Sequence, residues 1–202
     1  MEIKLKNKLI KRQKGFSLPE LMIVMLIISI LVVLALPQVM SSRRLFRFSG
    51  MQRQITTSMT EARQEAMSQR SPITVRYDDT TKRIILHGGK FGASGDARNR
   101  IVELTGSGLE MNEIAYGRPG GATTAALADT SNMNALASNA ATITFEADGS
   151  VIDTVTNSPK NNALFFYNVN YPNDMAFAVS VLGAGGRVKI WRYNKTIQKY
   201  VE

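Results

Sequence analysis

The period of the apolar positions changes twice along the chain. From 21 to 36 every residue except Ser29 is apolar. Counted from Phe16, this run reaches roughly the 20 residues that an α-helix needs to cross a bilayer. Beyond Pro37, Leu45, Phe48, Met51, Ile55, Met59, Ala62 and Ala66 recur at steps of three and four, as one face of an amphipathic helix does. Gln52, Arg53, Gln54, Glu61, Arg63, Gln64 and Glu65 take the other positions. Ser71-Pro72 ends the pattern, because a residue before proline avoids helical dihedrals. The spacing predicts one helix of about 50 residues, roughly 75–80 Å long at 1.5 Å per residue. It starts near Leu18 or Pro19, since proline fits a first helical turn. The distal stripe needs a sheet to cover it.

After Pro72 short alternating or β-branched segments take over. Strands are predicted at 73–77, 83–87, 101–104, 141–146, 151–154, 164–167, 175–182 and 187–191. Asp148-Gly149 has the signature of a tight hairpin. Gly183-Ala184-Gly185-Gly186 separates the last two segments and predicts a terminal hairpin. The Gly-, Ala-, Thr- and Asn-rich stretch of about 117–141 has no clear period and reads as a long surface loop. The domains expected are a leader at 1–15, a helix at 16–70 and a β-rich head at 71–202.

Charge changes this picture only locally. The formal net charge is +9, of which Lys4, Lys6, Lys8, Lys11, Arg12 and Lys14 against Glu2 place +5 before Gly15. The remaining +4 is matched by the tail, where Arg187, Lys189, Arg192, Lys195 and Lys199 stand against Glu202. The chain has no cysteine, which excludes a disulfide, a thiol nucleophile and a cysteine zinc site. His87 is the only histidine, so a triad or zinc hydrolase has little to build on. Asp78-Asp79 before Thr80-Thr81-Lys82 reads as a turn rather than a calcium site. The glycine-rich segment at 88–95 lacks the Gly-Lys-Ser/Thr ending and following helix of a phosphate loop. Neither a cofactor, a metal nor an enzyme activity is expected.

The basic flank before Gly15 marks the cytoplasmic side of the apolar segment. An ordinary secretory signal would be cut after that segment, at a small-residue site. Leu34-Ala35-Leu36-Pro37 offers none, so the segment is expected to be retained, as it would be in a generic signal anchor too. Gly15-Phe16-Ser17-Leu18-Pro19-Glu20 resembles the processing site of type IV pilins and type II secretion pseudopilins. The resemblance continues through Gln38, although Pro19 stands where an aliphatic residue is commoner. It implies cleavage after Gly15 by a prepilin peptidase, N-methylation of Phe16, a helix kink at Pro37, and filament assembly with other pilins through Glu20. Independently, a carboxylate among apolar side chains at membrane depth costs several kcal/mol unless paired, and the segment holds no cation. A plainer reading of Glu20 is a helix-start carboxylate favoured by the dipole.

The helix, Ser71-Pro72-Ile73-Thr74-Val75, Phe145-Glu146-Ala147-Asp148-Gly149 and Gly186-Arg187-Val188-Lys189 together resemble H-type pseudopilins and FimT-like minor pilins. This implies an α+β fold, with the long helix packed on a C-terminal antiparallel β-sandwich-like head. It also implies a minor pilin or pseudopilin of the bacterial inner membrane, single-pass with its head in the periplasm, and after assembly part of a pseudopilus or pilus. FimT-like minor pilins bind DNA in natural transformation through a C-terminal Gly-Arg-x-Arg motif, which Gly186-Arg187-Val188-Lys189 matches except at Lys189. On a strand Arg187, Lys189 and Trp191 would share a face, cations neutralise phosphates, and an exposed aromatic stacks on bases. The DNA-contact residues expected on this reading are Arg187, Lys189, Trp191, Arg192, Lys195 and Lys199. The alternatives are an edge strand guarded by charge and a face that docks on an acidic neighbouring pilin.

Overall fold

The structure is a computed structural model that describes residues 15–89, 100–119, 134–136, 141–153 and 156–202. The leader at 1–14, most of the 117–141 loop, most of the glycine-rich segment and the end of the 151–154 strand lie outside the described residues. The chain divides into two compact units, Met1–Arg43 and Arg44–Glu202.

One helix, α1 (Leu18–Gln69), supplies both units. Its start follows from Ser17-Leu18-Pro19-Glu20: the Ser17 backbone N–H donates to Glu20 Oε2 at 3.4 Å, half of a capping box. It continues through Pro37, whose side chain lies outside the described residues. It stops at Arg70, which turns left-handed (φ 49°), while Ser71 N–H donates to the Ala66 carbonyl at 3.2 Å. In the first unit the apolar side chains from Leu21 to Leu36 are exposed on every side of the helix.

In the second unit the helical stripe Phe48, Met51, Ile55, Met59, Ala62 and Ala66 is buried. Leu45, expected to open that stripe, is exposed. Two sheets receive the stripe. The first has the order β3-β2-β1-β6-β7, built from β1 (Ile73–Asp78), β2 (Arg83–Gly88), β3 (Arg100–Glu103), β6 (Thr142–Phe145) and β7 (Val151–Ile152). The second has the order β11-β10-β9-β8-β4, built from β4 (Ile114–Tyr116), β8 (Asn162–Asn168), β9 (Ala176–Val181), β10 (Val188–Asn194) and β11 (Lys199–Val201). All these pairs are antiparallel, whereas β5 (Asn134–Ala135) runs parallel to β8 along the edge β4 also uses. β5 falls inside the stretch expected to be loop, and β4, β5 and β11 were not predicted. Elements of two or three residues carry too little alternation to be read.

One core joins helix and sheets. Phe48 meets Phe177 edge-on with centroids 5.2 Å apart, and Tyr77 of the first sheet meets Phe166 of the second at 5.1 Å. The outer face of the second sheet carries its own cluster of Ala163, Phe165, Ala176, Ala178, Trp191 and Tyr200. That cluster decides which tail residues are free.

Candidate functional site

Gly15 and Phe16 precede the first helical turn, and Phe16 is exposed. A Cβ added at Gly15 would meet nothing within 4 Å, so packing gives no reason for glycine there. Glu20 is exposed and, among the described residues, tied only to the local Ser17 N–H. The helix-start role of this carboxylate is therefore realised within one chain. Capping leaves its second oxygen free to accept from another donor.

The tail strand separates the residues expected to act together. Trp191 is 2% exposed, and its Nε1–H donates to Ser180 Oγ at 2.7 Å. The expectation of an exposed stacking aromatic is thus corrected: the face Trp191 shares with Lys189 and Tyr193 is the one the outer cluster covers. Lys189 lies over the indole, with Nζ 5.1 Å from the ring centroid, and pairs with Glu202 at 3.0 Å. Its charge is already met inside the chain.

Arg187 is exposed and sits just before β10. Its neighbour Gly186 (φ 58°) packs so closely that an added Cβ would stand 1.9 Å from the Gly149 carbonyl oxygen. The glycine of the Gly-Arg-Val-Lys motif is therefore required by the fold. Arg63 Nε donates to the same Gly149 carbonyl at 3.3 Å, which ties both hairpins to α1.

Arg192, Lys195 and Lys199 are exposed at the other end of β10. Lys195 lies eight positions after Arg187, a span of about 26 Å at 3.3 Å per strand residue. Arg192 lines a groove of about 380 Å³ with Leu45, Phe48, Gln52, Asp174 and Tyr193. Lys195 Nζ stands 3.9 Å from Asp174. The β10–β11 register places Lys199 opposite Asn194, beside this group. The tail cations thus form two separate sites, and sequence alternation could not show this, because it fixes faces and not the ends of strands.

The remaining candidates stay structural. Asp78 accepts from Thr80 N–H and Thr81 Oγ1, and those bonds hold its carboxyl below the usual range, as a turn carboxylate requires. Among the described residues no group of three or more His, Asp or Glu could hold a metal.

Comparison with known proteins adds one sequence match. The profile of the prokaryotic N-terminal methylation motif matches residues 10–36. No curated protein matches the chain. Among solved structures, the type IV minor pilin FimU of Pseudomonas aeruginosa is similar at a TM-score of 0.43 and 16% identity, over 75% of this chain and 91% of that one. The minor pseudopilin EpsH from the type 2 secretion system of Vibrio cholerae is similar at 0.40 and 12% identity, over 72% and 95%. These likenesses are distant. Gly15-Phe16, the carboxylate at Glu20 and the apolar helix behind them, as far as Leu36, lie within the methylation motif.

Proposed function

We propose that the chain is a minor pilin or pseudopilin subunit, cleaved after Gly15, methylated on Phe16 and anchored in the inner membrane by residues 16–36 with its head in the periplasm. The observation that carries this reading is the methylation motif at 10–36, set on a helix whose apolar side chains are exposed on all sides. Such a surface is stable only in lipid or against other apolar helices. The absence of any packing demand for glycine at 15 fits a residue kept for a peptidase. A type IV pilin-like protein acts as a structural subunit and not as an enzyme. The Glu20 oxygen left over from capping accepts from the Phe16 amine of a neighbouring subunit and sets register in the filament. Intact mass of the membrane-extracted protein tests processing: loss of residues 1–15 plus one methyl group is expected, and an intact leader refutes it. A Glu20→Ala variant is expected to lose co-purification with partner pilins. Unchanged co-purification sinks the assembly role.

DNA uptake remains a second reading because Arg187, Arg192, Lys195 and Lys199 are exposed. It is weakened by the burial of Trp191 and the pairing of Lys189. Titration with duplex DNA at two salt concentrations, against an Arg187→Ala variant, tests it. Binding that falls steeply with salt and vanishes in the variant supports uptake, and equal binding by both proteins removes it.

A further inference from the structure

At the end of the head where α1 enters, four cations and exposed apolar side chains share one corner. Arg44 bonds the Tyr171 hydroxyl, and its guanidinium lies 5.3 Å from that ring's centroid, so the part of α1 that opens the second unit meets the β8–β9 loop there. Arg192, Lys195 and Lys199 come from the β10–β11 hairpin beside them, and Arg192 and Lys199 make no ion pair among the described residues. Tyr171 and Ile197 are exposed although large and apolar. The acidic groups of this end are Asp174, within reach of Lys195, and Glu110 and Glu113, which precede β4. β4 is the opposite edge of the sheet from β11, about 19 Å away at 4.8 Å per strand. The β10–β11 side of this end is therefore basic, and its β4 side, where the Glu113 carbonyl accepts from Val169 N–H of the β8–β9 loop at 3.0 Å, is acidic.

We propose that this corner docks on the headgroups of anionic phospholipids and so holds the head against the bilayer before assembly. The tether makes this surface reachable. Arg44 lies eight positions after Leu36, the end of the apolar run, and even fully extended those eight steps span at most about 29 Å. Exposed aromatic and aliphatic side chains among cations suit the interface, where ring and headgroup charge are both satisfied. Each cation near an anionic surface is worth about fivefold in partitioning. The proposal rests on the membrane-anchored reading above.

The test is amide exchange of the full chain in nanodiscs of phosphatidylcholine, or of phosphatidylcholine mixed with phosphatidylglycerol. Exchange at 170–175 and 194–199 is expected to slow by roughly tenfold in the anionic discs alone, and an Arg192→Gln/Lys195→Gln variant is expected to lose that difference. Protected β9 amides in the variant show that it has folded. Equal exchange in both lipids, or a difference the variant retains, overturns the proposal. Slowing at these segments by duplex DNA in zwitterionic discs, with none from anionic lipid, assigns the corner to nucleic acid and overturns it too. A chain that does not enter discs refutes the anchor itself, and with it the docking.

Discussion

Trp191 and Tyr200 are buried in the same outer cluster, yet their polar atoms fare differently. The indole N–H is satisfied by Ser180, whereas the Tyr200 hydroxyl has no hydrogen-bond partner among the described residues. Replacing Trp191 by Phe leaves Ser180 unpaired and is expected to cost about 1–3 kcal/mol. Replacing Tyr200 by Phe removes a desolvated hydroxyl and is expected to be neutral or to stabilise by up to about 2 kcal/mol. Urea midpoints of the two variants check both signs. Burial pushes the hydroxyls of Tyr77, Tyr116 and Tyr200 up from their ordinary 10.0, and at Tyr77 the nearby Asp79 carboxylate adds to it. Above that pH the unfolded chain has lost protons that the native chain keeps. Stability is therefore full below pH 10 and falls as pH rises beyond it, and a urea midpoint that stays level while the unfolded tyrosines ionise contradicts this. Gly186 and Gly185 make a matched pair. Gly186→Ala meets the Gly149 carbonyl in a left-handed backbone and is expected to cost about 2–4 kcal/mol, whereas a Cβ at Gly185 meets nothing. In the sequence Gly186 reads as part of a ligand motif. Only the approach of a second hairpin, remote in sequence, shows why it is glycine.

Elements were legible where a period had room to repeat. The start of α1 follows from Ser17-Leu18-Pro19-Glu20, its stripe from steps of three and four, and its end from Ser71-Pro72. Leu45 fails because the sheets end before the helix does, and a stripe cannot tell where its cover stops. The β6–β7 and β9–β10 hairpins were readable from Asp148-Gly149 and from Gly183 to Gly186. The 187–191 segment does form a strand, but β10 runs on through Asn194, and the face holding Trp191 is covered because Phe165 and Tyr200, of the same cluster, come from strands apart from it in sequence. The αL position that closes α1 holds Arg70, where glycine has no Cβ penalty. Arg70→Gly is expected to raise stability by about 0.5–1 kcal/mol, read as a shift in the thermal midpoint. A fall instead means that the Arg70 side chain contributes more than its backbone costs.

The burial pattern of the whole molecule predicts where the chain can be cut. No described residue before Phe48 belongs to the core, and the compact unit Arg44–Glu202 contains the stripe together with both sheets. The fragment Arg44–Glu202 is expected to unfold cooperatively in water without detergent, because the exposed apolar run is gone and nothing in the core goes with it. A fragment that begins after α1 keeps every described strand but loses Phe48, Met51, Ile55 and Met59, all buried. At about 1.5–3 kcal/mol for each such side chain, that loss is comparable with the whole stability of a domain, about 5–15 kcal/mol. It also uncovers the sheet faces that the stripe packs against. The shorter fragment is therefore expected to show no cooperative transition and to aggregate. Circular dichroism melts of the two fragments side by side decide the matter. If both fold, the helix rests on an independent sheet core, and if neither folds, the first unit contributes to the head in a way that burial does not register.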